Sequence, residues 1–423
     1  MDAADHVYAP GAVCFEGGRL TYVGPVDMCS ASADALEVDT SGTIVIPGLV
    51  NAHCHSPMTF MRGLAENCTP AEWFQRTEVL RQAYSEDDVY WSTLHGCCEM
   101  LLNGITCVAD RYSRMDTAAR AVVASGIRAS LGPSIFDGTY AGAGLQTLAE
   151  ARRLIDRYGT SGEQRVSCGL APIGPDTSST ELLQATRRAA DETGARIYIH
   201  AAQSHEELQR VRVRGYSGAI RYLHDIGFLG TDVVAAHCIY VDRDEVALLA
   251  SDGVHVAHCP VSNAKIEATI APVSRFRSAG VNVAVGTDCA ASNNTQDLLR
   301  ELQAAALLQR VEARDPVGPS ARALFSMAMR VAARGLGLEQ WTGSLEVGKR
   351  ADLTVLDAGE LHLQPPHDVY TRLVYAASGR DARDVFVDGE QLVQDGRLTR
   401  HDRADLLERA RRYRERTVTT LAE

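Results

Sequence analysis

The sequence predicts an α/β fold, a (β/α)8 TIM-like barrel carrying a small β-sandwich domain built from both ends of the chain. Three observations predict it. Apolar runs bounded by Gly, Pro and polar clusters alternate with stretches of helical apolar spacing from about residue 46 to about residue 335. Eight such strand–helix units occur, the number that closes a parallel barrel, and no GxGxxG follows the first strand to favour an open sheet. Outside this region the chain carries short runs split by Gly-rich turns such as Glu16-Gly17-Gly18.

In order, the barrel strands are expected at 48–53, 105–110, 128–131, 166–171, 196–200, 233–237, 254–257 and 281–286. Helical spacing marks 85–102, 180–192, 216–226, 243–251 and 295–314 between and after them. Val13, Phe15, Leu20, Tyr22 and Val23 read as short strands, as do 43–46, 353–356 and 385–387. The expected organisation is a β domain from 1–46 and 336–398, a barrel from 47–335, and a C-terminal surface helix within 399–423.

Composition excludes several classes of function. The chain has 423 residues, 45% hydrophobic and 23% charged, with no apolar run of the roughly 20 residues that cross a bilayer. Its net charge is -12 and no basic cluster interleaves with aromatics, so nucleic acid is not the expected partner; a small molecule is. The first ten residues lack a basic start and an apolar stretch, so a cytoplasmic location is expected. The eleven cysteines are scattered through apparent strands and helices and are expected to be buried free thiols.

The ends of the strands carry the chemistry, because in such a barrel they share one mouth. The first ends in His53-Cys54-His55, the fifth in His200, the sixth in His237 and the eighth in Gly286-Thr287-Asp288. Residues i and i+2 of a strand point to one side, so His53 and His55 can aim two imidazoles at one point while Cys54 faces away. Imidazole nitrogen together with a carboxylate oxygen suits zinc or a similar divalent ion and leaves a position open for water.

These motifs also carry a resemblance. PGLVNAHCH over 47–55, MRG over 61–63, His200, AHC over 236–238, GTDCAASNN over 286–294 and GSLEVGKRADL over 343–353 resemble the amidohydrolase superfamily. Within it the chain is similar to the branch of methylthioadenosine/S-adenosylhomocysteine deaminases and triazine hydrolases. The resemblance implies His53, His55, His200 and Asp288 as ligands of one divalent metal, with zinc expected and iron(II) or manganese(II) as alternatives. It also implies His237 as a catalytic residue beside the attacked carbon, Asp288 as the proton acceptor, and a homodimer. Some members bridge two metals with a carboxylated lysine; the only lysines here, Lys265 and Lys349, do not end the third or fourth strand, so one metal is expected.

Three positions depart from the nucleoside-deaminating pattern. The glutamate three residues after the strand-five histidine is Gln203, in HAAQ over 200–203; an amide donates a hydrogen bond but does not shuttle a proton. Glu206 and Glu207 stand nearby as substitutes. After the fourth strand a base-holding histidine is replaced by Ile173, in PIGPD over 172–176, and VLRQA over 79–83 offers no acid for ribose hydroxyls. An ordinary adenosine is therefore not the expected substrate. Gln203, Ile173, Trp73 and Ser292 are the candidate substrate contacts, with Gln203 also a candidate catalytic group; Ser292 alternatively caps the turn after Asp288. His258, Asp110, Arg111 and Tyr112 either shape the mouth or serve the core.

The expected activity is hydrolysis of a carbon–nitrogen bond at an amidine-like carbon of a small nitrogen heterocycle, an aminohydrolase or deaminase reaction. Hydrolysis of an amide, formyl or cyclic imide bond is the second expectation, and a non-catalytic metal-containing binding protein the third.

Overall fold

The computed structural model describes residues 2, 4–32, 34–137 and 143–422, with side chains as far as 417. The strands are β1 (Gly11–Glu16), β2 (Arg19–Pro25), β3 (Thr43–Pro47), β4 (Leu49–Cys54), β5 (Ile105–Tyr112), β6 (Arg128–Ile135), β7 (Val166–Cys168) and β8 (Ala171–Pro172). They continue as β9 (Ile197–Ala201), β10 (Val233–His237), β11 (His255–His258), β12 (Asn282–Val285), β13 (Leu353–Asp357), β14 (Ala382–Val387), β15 (Glu390–Gln394) and β16 (Arg397–Leu398).

All eight expected barrel positions carry a strand, and the hydrogen-bonded neighbours from β4 to β7 and from β9 to β12 are parallel. Two contacts close the ring. Leu170 bridges Ile197, and Cys54 bridges Asp288 with the Asp288 N–H donating to the His53 carbonyl at 3.0 Å. The expected fourth strand is not continuous: β7 stops at Cys168, and β8 resumes at Ala171 against β6. A Cβ on Gly169, at the break, would lie 2.6 Å from the Arg196 carbonyl, so the chain crosses there by close backbone approach.

Side-chain alternation fills the barrel with small residues. Val50, Ala52, Cys107, Ala109, Ala171, Val234, Ala236, Ala257 and Ala284 pack around Tyr198, whose hydroxyl lies 2.5 Å from Ser130 Oγ. Around this core, helix starts follow the sequence. Ser85 and Asp88 form a reciprocal capping box that begins helix Glu86–Leu102, and Asp242 with Glu245 does the same for Arg243–Ser251.

The chain ends meet in a five-stranded sheet ordered β16-β15-β14-β13-β3, accompanied by the β1–β2 hairpin. Leu20, Leu345, Ala351, Leu353, Val355 and Phe386 form their shared core. Between β13 and β14 lies helix Val369–Tyr375, which the reading of this region as strands missed. Arg128 at the start of β6 is buried and joins barrel to sheet, its Nε 2.6 Å from Asp352 Oδ2 and its Nη2 on Asp388. The C-terminal helix, Arg403–Ala422, lays Tyr413 against Phe60 and Tyr84, with ring centroids 5.3 and 5.2 Å away. All eleven cysteines are free, and Cys14, Cys29 and Cys68 are only partly buried, which corrects the expectation of burial for those three.

Candidate metal centre

His53, His55, His200 and Asp288 meet at the C-terminal mouth of the barrel. His55 Nε2 lies 3.3 Å from His200 Nε2 and 3.3 Å from Asp288 Oδ1, and His53 Nε2 lies 3.7 Å from the same oxygen. A tetrahedral ion held at about 2.1 Å by each ligand needs ligand edges of about 3.4 Å, so the spacing matches. The charge state suits ligation as well. Burial first, then Arg111 and the neighbouring imidazoles, holds His200 well below its ordinary range; burial, then His55, His237 and Arg111, does the same to His53. His55 is lowered to about 4, burial outweighing the opposing pull of Asp288. Neutral imidazoles result, with the Arg111 guanidinium against the His200 ring, its Nη1 2.8 Å from Nε2.

Backbone carbonyls fix which nitrogen is free. His55 Nδ1 donates to the Arg111 carbonyl at 2.9 Å and His200 Nδ1 to the Ile173 carbonyl at 3.0 Å, which turns both Nε2 lone pairs inward. His53 Nε2 is buried and has no hydrogen-bond partner among the described residues. These orphaned and converging donors fit one divalent cation. Asp288 is held from behind, its Oδ2 accepting from Ser262 Oγ at 2.6 Å and from Ser292 Oγ at 3.0 Å. Burial acts to raise this carboxyl, but His55, His237 and the two hydroxyls leave it below its usual value.

His237 stands beside the cluster, its ring centroid 5.5 Å from His53 and 5.3 Å from His200. Its Nδ1 donates to Asn263 Oδ1 at 2.9 Å, and its Nε2 is buried without a partner among the described residues. Strand alternation alone would aim His237 outward, since Val234 and Ala236 face the barrel interior. A left-handed backbone, φ 76°, turns it back, and Asp288 sits in the same region at φ 57°. Such strain costs about 1–3 kcal/mol per residue and is characteristic of functional sites.

The remaining candidates divide. Ser292 is fully buried and bonded to Asp288 and the Cys289 carbonyl. Trp73 donates its indole N–H to the Ala291 carbonyl at 3.3 Å, anchoring helix Pro70–Ala83 over the mouth. Ile173 acts through its main chain, orienting His200. The Gln203 side-chain amide makes no hydrogen bond among the described residues, while its backbone N–H donates to Glu207 at 2.8 Å. Glu207 is no substitute for a proton carrier at 203. Both its oxygens are engaged by the Ala202 and Gln203 N–H groups, and burial, with Asp176, pushes it up to about 8. Glu206 is exposed.

Asp110 fastens the turn after His55 by accepting from the Ser56 N–H at 2.9 Å and from its hydroxyl. His258 is buried, and neither ring nitrogen has a hydrogen-bond partner among the described residues. Sequence reasoning missed Ser262 and Asn263, although HCPVSN over 258–263 displays two polar side chains directly after a barrel strand. Lys265 is engaged by Glu66 at 2.7 Å and by Asn294, and Lys349 by Ser344 at 2.6 Å.

The comparisons with known proteins point the same way. The pattern of the amidohydrolase family matches residues 44–392. A 5-methylthioadenosine/S-adenosylhomocysteine deaminase of Symbiobacterium thermophilum is 39% identical over 421 residues, 99% of this chain and 97% of that protein. Among solved structures, an adenosine deaminase of Xanthomonas campestris with bound zinc superimposes at a TM-score of 0.93 with 32% identity, covering 97% of this chain and 94% of that one. An atrazine chlorohydrolase of Arthrobacter aurescens complexed with zinc does so at 0.87 with 26% identity, covering 95% of each chain. With the family pattern running from β3 into β15 and through every strand end that contributes to the cluster, this chain belongs to the amidohydrolase family.

Proposed function

We propose that this protein is a mononuclear metal-dependent aminohydrolase that replaces the amino group of an amidine-like carbon in a small nitrogen heterocycle by oxygen and releases ammonia. The observation that carries the reading is the convergence of three imidazole Nε2 atoms and Asp288 Oδ1 next to the unpartnered Nε2 of His237. A divalent ion held by His53, His55, His200 and Asp288, zinc by likeness to the zinc-containing structures, supplies the Lewis acidity that makes water nucleophilic near neutral pH.

The chain's own groups move the protons. Asp288 Oδ1 takes a proton from the attacking water while Ser262 and Ser292 hold Oδ2, and the same carboxyl returns the proton to the departing amine. His237, with its tautomer set by Asn263, accepts a hydrogen bond from the attacking water at Nε2 and so aims the water oxygen at the amino-bearing carbon. Gln203, Ile173, Trp73 and Ser292 are proposed to border the substrate. Gln203 holds a ring nitrogen or oxygen by hydrogen bonding without transferring a proton.

Gln203 also favours a second reading, hydrolysis of an amide, formyl or cyclic imide bond, in which no ring protonation is needed. Ammonia assays on zinc-loaded protein across aminopurines, aminopyrimidines, aminotriazines, pterins and methylthioadenosine separate the two. Ammonia release is expected; a carboxylate product without ammonia would establish the second reading. We further propose a β domain from 1–46 and 336–398, a barrel from 47–335, a homodimeric assembly and a cytoplasmic site of action. No helix among the described residues is long and apolar enough to cross a membrane.

A further inference from the structure

Arg111 is the last inward-facing residue of β5. Cys107 and Ala109 of that strand face the barrel interior, and alternation carries Arg111 into the layer that holds His200. Its side chain is almost completely buried. Its Nη1 lies 2.5 and 2.8 Å from His200 Nδ1 and Nε2, and its Nη2 reaches only the distant carbonyls of Ala171 and Pro172 at 3.5 and 3.4 Å. Its Nε is buried and has no partner among the described residues.

Among the described residues no carboxylate pairs with this guanidinium. The other deeply buried arginine, Arg128, is by contrast saturated by Asp352 and Asp388. Asp288 is the acidic group that acts on Arg111 electrostatically, and both its oxygens are engaged elsewhere. A buried guanidinium without a carboxylate partner is costly and contributes nothing to packing that an apolar side chain would not. With Nη1 against His200, the Nε–Nη2 edge is left as a planar pair of donors suited to oxygen acceptors.

We infer that Arg111 is the specificity determinant of the site, and that the substrate is an oxo-substituted amino-heterocycle whose ring oxygen Arg111 binds while the amino-bearing carbon faces His237. This inference rests on the proposed deaminase reading. An adenine ring, which has no oxygen, leaves Arg111 unsatisfied, whereas its 2-oxo counterpart does not. The uncharged amide of Gln203 is compatible with such an oxygen, because it adds no competing carboxylate at that position.

Matched probes test it: isoguanine against adenine and cytosine against 4-aminopyrimidine, each pair differing by one ring oxygen. Kd is measured by equilibrium dialysis on the metal-free protein, and ammonia is assayed separately on the zinc-loaded protein. The wild type is expected to bind the oxygenated member of each pair about 10- to 100-fold more tightly, the range of a hydrogen bond to a charged group. The gap should close in Arg111→Met and narrow in Arg111→Lys, which keeps the charge but loses the fork.

A wild-type gap below about 3-fold, or one that survives in Arg111→Met, would overturn the inference. If Arg111→Met does not fold, the wild-type gap and Arg111→Lys decide. A binding gap without ammonia from any probe would sink the deaminase reading and keep the role of Arg111; ammonia release without a gap would do the reverse.

Discussion

His237 donates from Nδ1 to the side-chain oxygen of Asn263 at 2.9 Å, which leaves its Nε2 as a base without a partner among the described residues, beside the proposed metal ligands. The bond explains how a buried imidazole, held below its ordinary pKa by burial against the opposing pull of Asp288 and Asn263, keeps one defined tautomer. Asn263→Ala should lower kcat by about 10- to 100-fold with KM changed less than about 3-fold, the effect expected of a group that orients another. Asn263→Asp should keep the tautomer but raise the His237 pKa, moving the acidic limb of the pH–rate profile to higher pH. Equal losses in kcat and KM, with an unmoved profile, would contradict this role.

Loss of a ligand should be visible without any substrate. His55→Ala and His200→Ala are expected to retain well under one metal per chain by elemental analysis, whereas His237→Ala keeps a full equivalent. Chelation should lower the Tm of the wild type, since an ion at 100 times its Kd adds about 2.7 kcal/mol. A full metal complement in His55→Ala would exclude it from the ligand set.

Gln203 is proposed to be the position at which ring protonation is blocked. In Gln203→Glu the new carboxyl can carry a proton, so kcat/KM on methylthioadenosine should rise by about 10-fold or more; general acid catalysis commonly contributes about 100- to 10,000-fold when fully realised. An unchanged rate on this substrate, with metal content intact, would show that proton delivery at position 203 is not what separates this site from nucleoside deaminases.

Two buried acids should tilt stability against alkaline pH. Burial pushes Glu301 up from 4.5 to about 8, with Asn293 and the Val261 N–H as its partners, and Glu207 behaves likewise. The native state therefore holds a proton that the unfolded chain releases. Stability from this source is fully present below about pH 4.5 and is lost as pH rises through about 8, by up to about 1.4 kcal/mol per unit per group. Tm measured from pH 5 to 9 should fall less steeply in Glu301→Gln than in the wild type, and parallel curves would refute the assignment.

Arg128 clamps the barrel to the terminal sheet through Asp352 and Asp388. Arg128→Met should cost about 3–5 kcal/mol, because it leaves Asp352 buried without its counter-charge. The double variant Arg128→Met with Asp352→Leu should recover much of that loss in thermal denaturation, and additive losses would argue against the pairing.

Much of this site was legible in the chain. The barrel followed from apolar runs placed eight times between helical stretches, and polar residues at strand ends marked the mouth, because alternation and helical spacing are local properties of a sequence. The pairing of His53 with His55 followed from the period of two. Alternation fixes only relative direction, however. Val50 and Ala52 face inward, and the same phase would send His53 and His55 outward; a register shift between Asn51 and Cys54 reverses it. His237 likewise turns inward only through a left-handed backbone that its neighbours hold in place. The partnership of Asn263 with His237, and of Ser262 with Asp288, joins residues 26 positions apart in each case. The unpaired charge of Arg111 is a matter of what does not reach it, since a lone arginine at a strand end reads equally as a salt bridge. The sequence by itself determined the architecture and the ligand types, whereas bulges, strained turns and long-range hydrogen bonds, which depend on the closed barrel, decided where each side chain points and which charges stay uncompensated.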